Sequence, residues 1–487
     1  MEFSRNFDLI VLGSGPAGQK AALQGAKAGK RVVLVEASGT MGGGCVHQGT
    51  IPSKSFRESV YRFSMGSQGA LGQENDAGER RPRQESELPE MRRLVKRKDR
   101  VIRGECEVVR DQLTRNHIEI VHGFGVFADP HTIEVKDSVG AVTQVLSAPF
   151  VVIATGAHPV SPAHLPVDGK WIHDSDTILN LPRLPRTLAV IGAGIIGTEY
   201  ASMFSMAGSR VFLIDKRDRI LASVDREIVN HLTERFETQD MEMVLQTEVA
   251  RAEIQPGTSE FPLGLVRLEL TNGRSLEVEA ALVAMGRSGN TEGMGLETIG
   301  LIPDSRGLLA VDAHFRTALP HVYAAGDVIG VPALASTSME QGRIAVSHAF
   351  GLGVPEERQM PALYPYGIYT IPEISTLGPN EEELKAQGVP YIEGRARYRE
   401  LARGQIVGDQ WGMLKLLVHR ETLKILGVHI VGDSAANLIH IGQAVMDHGG
   451  DVNYFIRTVF NYPTLAEAYK TAAFHAINQM RGATTTK

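Results

Sequence analysis

Cysteine is scarce in this 487-residue chain, with two in all. So small a supply excludes a secreted domain stapled by disulfides and fits a reducing compartment, so a cytoplasmic location is expected. Long apolar runs are also missing. No uninterrupted stretch reaches the roughly 18–20 residues a membrane span needs, and the first residues show no charged-then-apolar leader. Positive charge is not in excess. There are 50 lysines and arginines against 56 acids, a net charge of −6, so no basic footprint exists for nucleic acid or anionic lipid. The 16 histidines and two cysteines show none of the paired spacings of a zinc site, and no metal is expected.

What is present is ordinary in bulk and specific in detail. Apolar residues make up 43% and charged residues 22%, as in globular proteins generally. The length suits about three domains. Glycine is abundant, at 51 residues, which points to tight turns and close approaches of backbone to ligand.

Several of those glycines belong to a unit that occurs twice. The apolar strand Asp8-Leu9-Ile10-Val11-Leu12 runs into Gly13-Ser14-Gly15-Pro16-Ala17-Gly18, an alanine-rich helix, and the strand Arg31-Val32-Val33-Leu34-Val35-Glu36. Later, Leu188-Ala189-Val190-Ile191 runs into Gly192-Ala193-Gly194-Ile195-Ile196-Gly197, a helix, and Arg210-Val211-Phe212-Leu213-Ile214-Asp215. In each copy the acid lies 18 residues past the third glycine. One G-x-G-x-x-G is weak evidence, but the whole unit twice at one spacing is strong evidence for two dinucleotide sites. The first glycine allows the turn, the second admits a pyrophosphate, and the third lets helix pack on strand. Backbone N–H groups at the helix start face the anion, and Glu36 and Asp215 would accept ribose hydroxyls. Two such sites in one chain suggest a flavin and a nicotinamide that exchange hydride.

Other segments are less informative. Residues 66–100 are strongly charged, including Glu79-Arg80-Arg81-Pro82-Arg83, and read as a surface loop followed by a charged helix. Residues 245–283 alternate as strands do, with Val266 to Leu270 leading into the Asn272-Gly273 turn. From about residue 356 strands precede helices with no third glycine fingerprint, so a packing or oligomerisation module is expected.

A last absence lies at Gly43-Gly44-Cys45-Val46-His47-Gln48-Gly49-Thr50. The layout is that of a redox-active C-x4-C loop, but Thr50 stands where the second sulfur would be. One thiolate cannot close a disulfide without a partner. Cys106, flanked by Glu105 and Glu107, reads as inert.

With these motifs in place, the chain resembles the two-dinucleotide-binding-domain flavoproteins of the disulfide reductase superfamily over nearly its whole length. The marks are both fingerprints, Cys45 through Lys54, Ala154-Thr155-Gly156, Ala284-Met285-Gly286-Arg287 and Tyr323-Ala324-Ala325-Gly326-Asp327. The resemblance implies an α/β fold with two Rossmann-like domains and a C-terminal α+β dimerisation domain. An FAD domain is expected over 1–157 and 284–352, an NAD(P) domain over 158–283 and dimerisation over 353–487. It also implies that Asp327 holds the flavin ribityl chain and that Lys54 and Glu199 pair beside the flavin and the nicotinamide.

The departures from the superfamily pattern narrow the function. In Asn461-Tyr462-Pro463-Thr464-Leu465-Ala466-Glu467, Tyr462 stands where the reductases place a histidine base, and Glu467 keeps the orienting position. A free tyrosine, with a pKa of ~10, is a poor base at neutral pH. Both thiol-relay parts are therefore gone, while nothing needed for hydride transfer is. Within the superfamily these substitutions resemble the soluble transhydrogenases. The resemblance implies FAD as cofactor, NAD(H) and NADP(H) as substrates, ping-pong exchange between NADPH and NAD+, and a homodimer with Tyr462 reaching the partner's flavin. Cys45 then becomes a packed flavin neighbour. Lys216 and Arg217, followed by Arg219, could neutralise a 2′-phosphate that Asp215 would repel. A quinone reductase using the same flavin is the enzymatic alternative. A non-catalytic flavin sensor is the other, against which the retained Lys54 and Glu199 argue.

Overall fold

The computed structural model describes residues 5–71, 90–255, 257, 264–353 and 360–485. The two fingerprint strands sit at the centre of two matching sheets. The first sheet is parallel, in the order Val322–Ala324, Phe150–Ile153, Leu9–Leu12, Val32–Glu36, Glu119–His122. The second, also parallel, runs Ile172–His173, Ala280–Val283, Thr187–Ile191, Arg210–Asp215, Met241–Leu245. Every residue of Leu9–Leu12 and of Val32–Glu36 is buried, as a parallel strand covered on both faces requires. In each sheet the glycine turn therefore leaves the carboxyl end of a central strand, where open α/β sheets bind ligands.

Antiparallel sheets flank this pair. The alternation expected over 245–283 forms Val249–Gln255, Leu265–Leu270 and Ser275–Val278. Ala157–Pro159 pairs with Arg287–Gly289, so the chain crosses between the two parallel sheets twice side by side. The C-terminal part is a five-stranded antiparallel sheet ordered Tyr366–Ile368, Glu373–Leu377, Ile425–Gly432, Met413–His419, Tyr391–Arg397. Buried Tyr398, Phe455 and Tyr469 fill its core.

The stretch from Cys45 to Lys54 is not one helix. Gly43–His47 is a short helix, and Thr50–Leu71 a long one that continues past residue 66. The expected loop therefore does not start at 66, and the Glu79 to Arg83 run lies outside the described residues. The charged helix expected after it is Met91–Arg115. Among the described residues no helix is long and apolar enough to cross a membrane.

Candidate functional site

Both glycine turns open into one cavity of about 2420 Å³. A drug-sized ligand fills roughly 300–1,000 Å³, so there is room for more than one extended ligand. At the first turn a Cβ on Gly13 would lie 2.4 Å from Ala154 O, and one on Gly18 1.9 Å from Gly13 O. A Cβ on Gly15 would meet nothing within 4 Å. The second turn repeats this, with Gly192 and Gly197 crowded and Gly194 open. Crowding fixes the turn and the helix on the strand, while the open middle glycine faces the cavity. Thr155 Oγ1, also on the cavity, is buried with no hydrogen-bond partner among the described residues. An open cradle at each helix start and an unpartnered polar atom on the same cavity fit two dinucleotides.

Seventeen of the twenty residues singled out from sequence line this cavity. They include Glu36, Cys45, Lys54, Thr155, Gly156, Glu199, Asp215, Lys216, Arg217, Gly286, Arg287, Gly326 and Asp327. Gly18 and Gly197 do not reach it and serve packing alone. Tyr462 does not reach it either. The residue is 73% exposed, so within one chain it is not brought to the site. Arg219 is turned away from the acid it follows and bonds Glu382 and Ala222 O.

At the centre, Lys54 Nζ donates to Glu199 Oε2 at 2.7 Å. Glu199 is 5% exposed and Lys54 28%. The other carboxylate oxygen, Oε1, accepts the backbone N–H of Tyr369 at 2.7 Å, and Lys54 Nζ lies 5.0 Å from the Tyr369 ring centroid. Two helices and a loop of the C-terminal part thus converge on one ion pair. The same loop is held at two further points. Ile371 N donates to Ser202 Oγ at 3.2 Å, and Arg57 Nε donates to Thr370 O at 3.1 Å. Arg57 also meets Glu373 at 3.2 Å. Sequence reading missed this bracket. Its holds on Glu199, Ser202 and Arg57 Nε are backbone groups, the Tyr369 and Ile371 amides and the Thr370 carbonyl, which no residue type reports.

Cys45 is poorly suited to attack. Burial pushes its thiol up, against a hydrogen bond from Thr50, and the nearby Asp327 charge raises it further. Only a thiolate is nucleophilic. Thr50, at the position of the missing sulfur, thus partners the remaining one. Burial likewise raises the Asp327 carboxyl, opposed by Arg287, whose Nε lies 4.0 Å away. Burial also raises the Cys106 thiol, and the flanking glutamates are minor contributors. Cys106 Sγ lies 3.6 Å from His47 Nε2, but that nitrogen is 2.9 Å from Met41 O. It therefore carries the proton and cannot take one from sulfur.

Away from the cavity, Asp225, Glu227 and Glu381 converge as metal ligands would. The cation's place is taken by the fully buried Lys415 ammonium, 3.0 Å from Asp225 and 2.9 Å from Glu227 and also bonded to Glu381.

Comparison with known proteins agrees with this geometry. Residues 7–342 match the family described as pyridine nucleotide-disulphide oxidoreductase, and residues 364–473 match its dimerisation domain. A soluble pyridine nucleotide transhydrogenase of Mycobacterium bovis is 45% identical over 481 residues, 98% of either chain. One from Chromohalobacter salexigens is 44% identical over 478 residues, 98% of this chain and 99% of its own. Among solved structures, LpdA of Mycobacterium tuberculosis superposes with a TM-score of 0.85 at 26% identity, covering 96% of this chain and 99% of that one. The HOCl-induced flavoprotein disulfide reductase RclA of Escherichia coli gives 0.83 at 25%, with the same coverage.

Proposed function

The chain belongs to the pyridine nucleotide-disulphide oxidoreductase family, and we propose that it is an NAD(P)+ transhydrogenase that moves hydride between NADPH and NAD+ through bound FAD. The observation that carries this reading is the pairing of an intact Lys54–Glu199 centre with a disabled thiol side, in one cavity that also contains both glycine turns. The name of the 45%-identical relative supports the same activity.

In this reading the Gly13 turn and Glu36 hold the FAD adenosine half, with Thr155, Gly156, Gly326 and Asp327 along its length. The Gly192 turn, Asp215, Lys216 and Arg217 hold the nicotinamide nucleotide, with Gly286 and Arg287 between the two. Bound flavin supplies the capacity to take and give a hydride, which no side chain here offers. Lys54 keeps a positive charge at the centre, where negative charge develops during reduction. Glu199 holds that lysine in place and is itself held by the Tyr369 amide. Catalysis is then positioning and electrostatics, with no protein nucleophile. Cys45, protonated and bonded to Thr50, stays out of the chemistry.

The FAD part would comprise residues 1–157 and 284–352, the NAD(P) part 158–283, and the dimerisation part 353–487. A homodimer is supported by the match to a dimerisation domain and by exposed Tyr454, Val459, Tyr462 and Phe474 in that region. Tyr462 would then reach the partner's site. Two free cysteines support a cytoplasmic location.

The test is NADPH oxidation by the purified holoprotein with an NAD+ analogue as acceptor, beside lipoamide, glutathione disulfide and a quinone. Turnover with the analogue and none with the disulfides supports the proposal. Turnover with quinone alone sinks it.

A further inference from the structure

Asp215 and Glu36 are equivalent acids with unequal freedom. This inference rests on reading the second glycine turn as the nicotinamide nucleotide site. Each acid performs the same backbone task. Glu36 accepts Ser14 N at 2.9 Å and Ser38 N at 2.8 Å. Asp215 accepts Ala193 N at 2.6 Å and Arg217 N at 2.9 Å.

The sites diverge at the side chain two residues past the acid. Ser38 turns its hydroxyl to Thr40 O at 2.7 Å. Arg217 folds back, donating Nε to Oδ1 at 2.8 Å and Nη2 to Oδ2 at 2.7 Å. A carboxylate offers about four lone-pair positions. Glu36 uses two and Asp215 four. A ribose hydroxyl can therefore bond Glu36 as it stands, but reaches Asp215 only if Arg217 withdraws.

The guanidinium itself is half used. Of its five N–H groups, two point into Asp215, which leaves three on its other edges. Arginine's fork suits phosphate as well as carboxylate, so one guanidinium can hold Asp215 and a 2′-phosphate at once. Arg217 is 44% exposed while Asp215 is 5% exposed, so the guanidinium can turn into solvent, and the carboxylate it leaves must then be met by the ribose hydroxyls. Lys216, 71% exposed and 3.8 Å from Glu248, adds a second positive charge next in the chain.

We propose that Arg217 is the specificity-determining residue that lets one site take both nucleotides. Closed on Asp215, it cancels the acid's repulsion and presents its free edge to the 2′-phosphate of NADP(H). Turned outward, it releases Asp215 to the ribose hydroxyls of NAD(H).

Calorimetry on the FAD-loaded full chain tests this with two probes that lack nicotinamide. They are adenosine 2′,5′-bisphosphate and ADP-ribose, so hydride transfer does not enter the readout. Arg217→Met should weaken the bisphosphate by roughly tenfold or more, while ADP-ribose binds as well or a few-fold tighter. Arg217→Lys, which keeps charge without the fork, should lie between wild type and Arg217→Met for the bisphosphate. Asp215→Asn should weaken ADP-ribose more than the bisphosphate. Equal losses for both probes in Arg217→Met, or no loss for the bisphosphate, would overturn the proposal. If the wild-type chain bound neither probe, the reading of this turn as a nucleotide site would fall as well.

Discussion

Lys54 Nζ and Glu199 Oε2 lie 2.7 Å apart although 145 positions separate them in the chain. Glu199 is nearly buried and accepts a second bond from the Tyr369 amide, so the carboxylate cannot drift when the lysine moves. The pair is a fixed charge centre in a cavity that both glycine turns share.

Lys54→Met removes the positive charge and leaves Glu199 with its amide bond alone. Loss of one positioned electrostatic contact costs about 10²–10³ in rate. We expect a fall of that order in hydride transfer, with adenosine 2′,5′-bisphosphate affinity unchanged. Stopped-flow reduction by NADPH, run beside calorimetry, checks both halves. A parallel loss of nucleotide binding would mean that Lys54 acts on binding, not on the chemistry.

Tyr369→Leu keeps the amide that holds Glu199 but removes the ring beside Lys54. A partly exposed cation–π contact is worth roughly 0.5–1 kcal/mol, so a two- to fivefold loss in hydride transfer is expected. Arg57→Met should cost more, because Arg57 fixes the Thr370 carbonyl and pairs with the mostly buried Glu373. Comparing the two variants at saturating nucleotide separates the ring from the bracket.

Cys45→Ser should leave most of the activity, since the thiol has no resolving partner and burial keeps it protonated. The folded thiol loses its proton at higher pH than the unfolded one. Below the unfolded value both states hold the proton and Cys45 contributes nothing. Above it the unfolded state alone releases the proton, so stability falls as pH rises toward the folded value. Alkylation of the native protein should accordingly be slow at neutral pH and speed up only in the alkaline range. Rapid labelling of Cys45 at pH 7 would show a thiolate there.

Much of this was open to reading from the residues, for a physical reason. The glycine turns and their acids are local, so spacing along the chain reports them. Lys54 and Glu199 are far apart, and only resemblance linked them. The Tyr369 amide could not be seen, because a backbone donor carries no residue identity. Arg217 was visible as a charge, but its bidentate hold on Asp215 depends on a rotamer. The same limit hid Lys415, whose cage draws acids from separate segments.

That cage gives a stability prediction. Burial alone would lower the Lys415 pKa, but Asp225, Glu381 and Glu227 together raise it. Glu381 is half-buried, which alone would raise it, yet its bonds to Lys415 and Lys385 bring it down to about 2. A depressed carboxyl stabilises the fold above its unfolded value and loses that contribution as pH falls toward the folded one. Acid unfolding should therefore draw on Glu381 between about pH 4.5 and 2. Lys415→Met strands the buried Asp225, while Glu381 keeps Lys385 and Glu227 keeps Arg395, and breaking a buried pair costs about 3–5 kcal/mol. Urea denaturation at neutral pH should show a loss of that size, shrinking as pH is lowered and the acids protonate. A loss independent of pH would point to packing instead.

The central claim is that both half-reactions run on hydride alone, with no thiol between them. Anaerobic titration of the holoprotein tests it most directly. NADPH should bleach the visible flavin absorbance, and NAD+, added after NADP+ is removed, should restore it in a one-to-one ratio, in wild type and in Cys45→Ser alike. Bleaching that NAD+ fails to reverse, or a Cys45→Ser protein that cannot complete the cycle, would contradict the account.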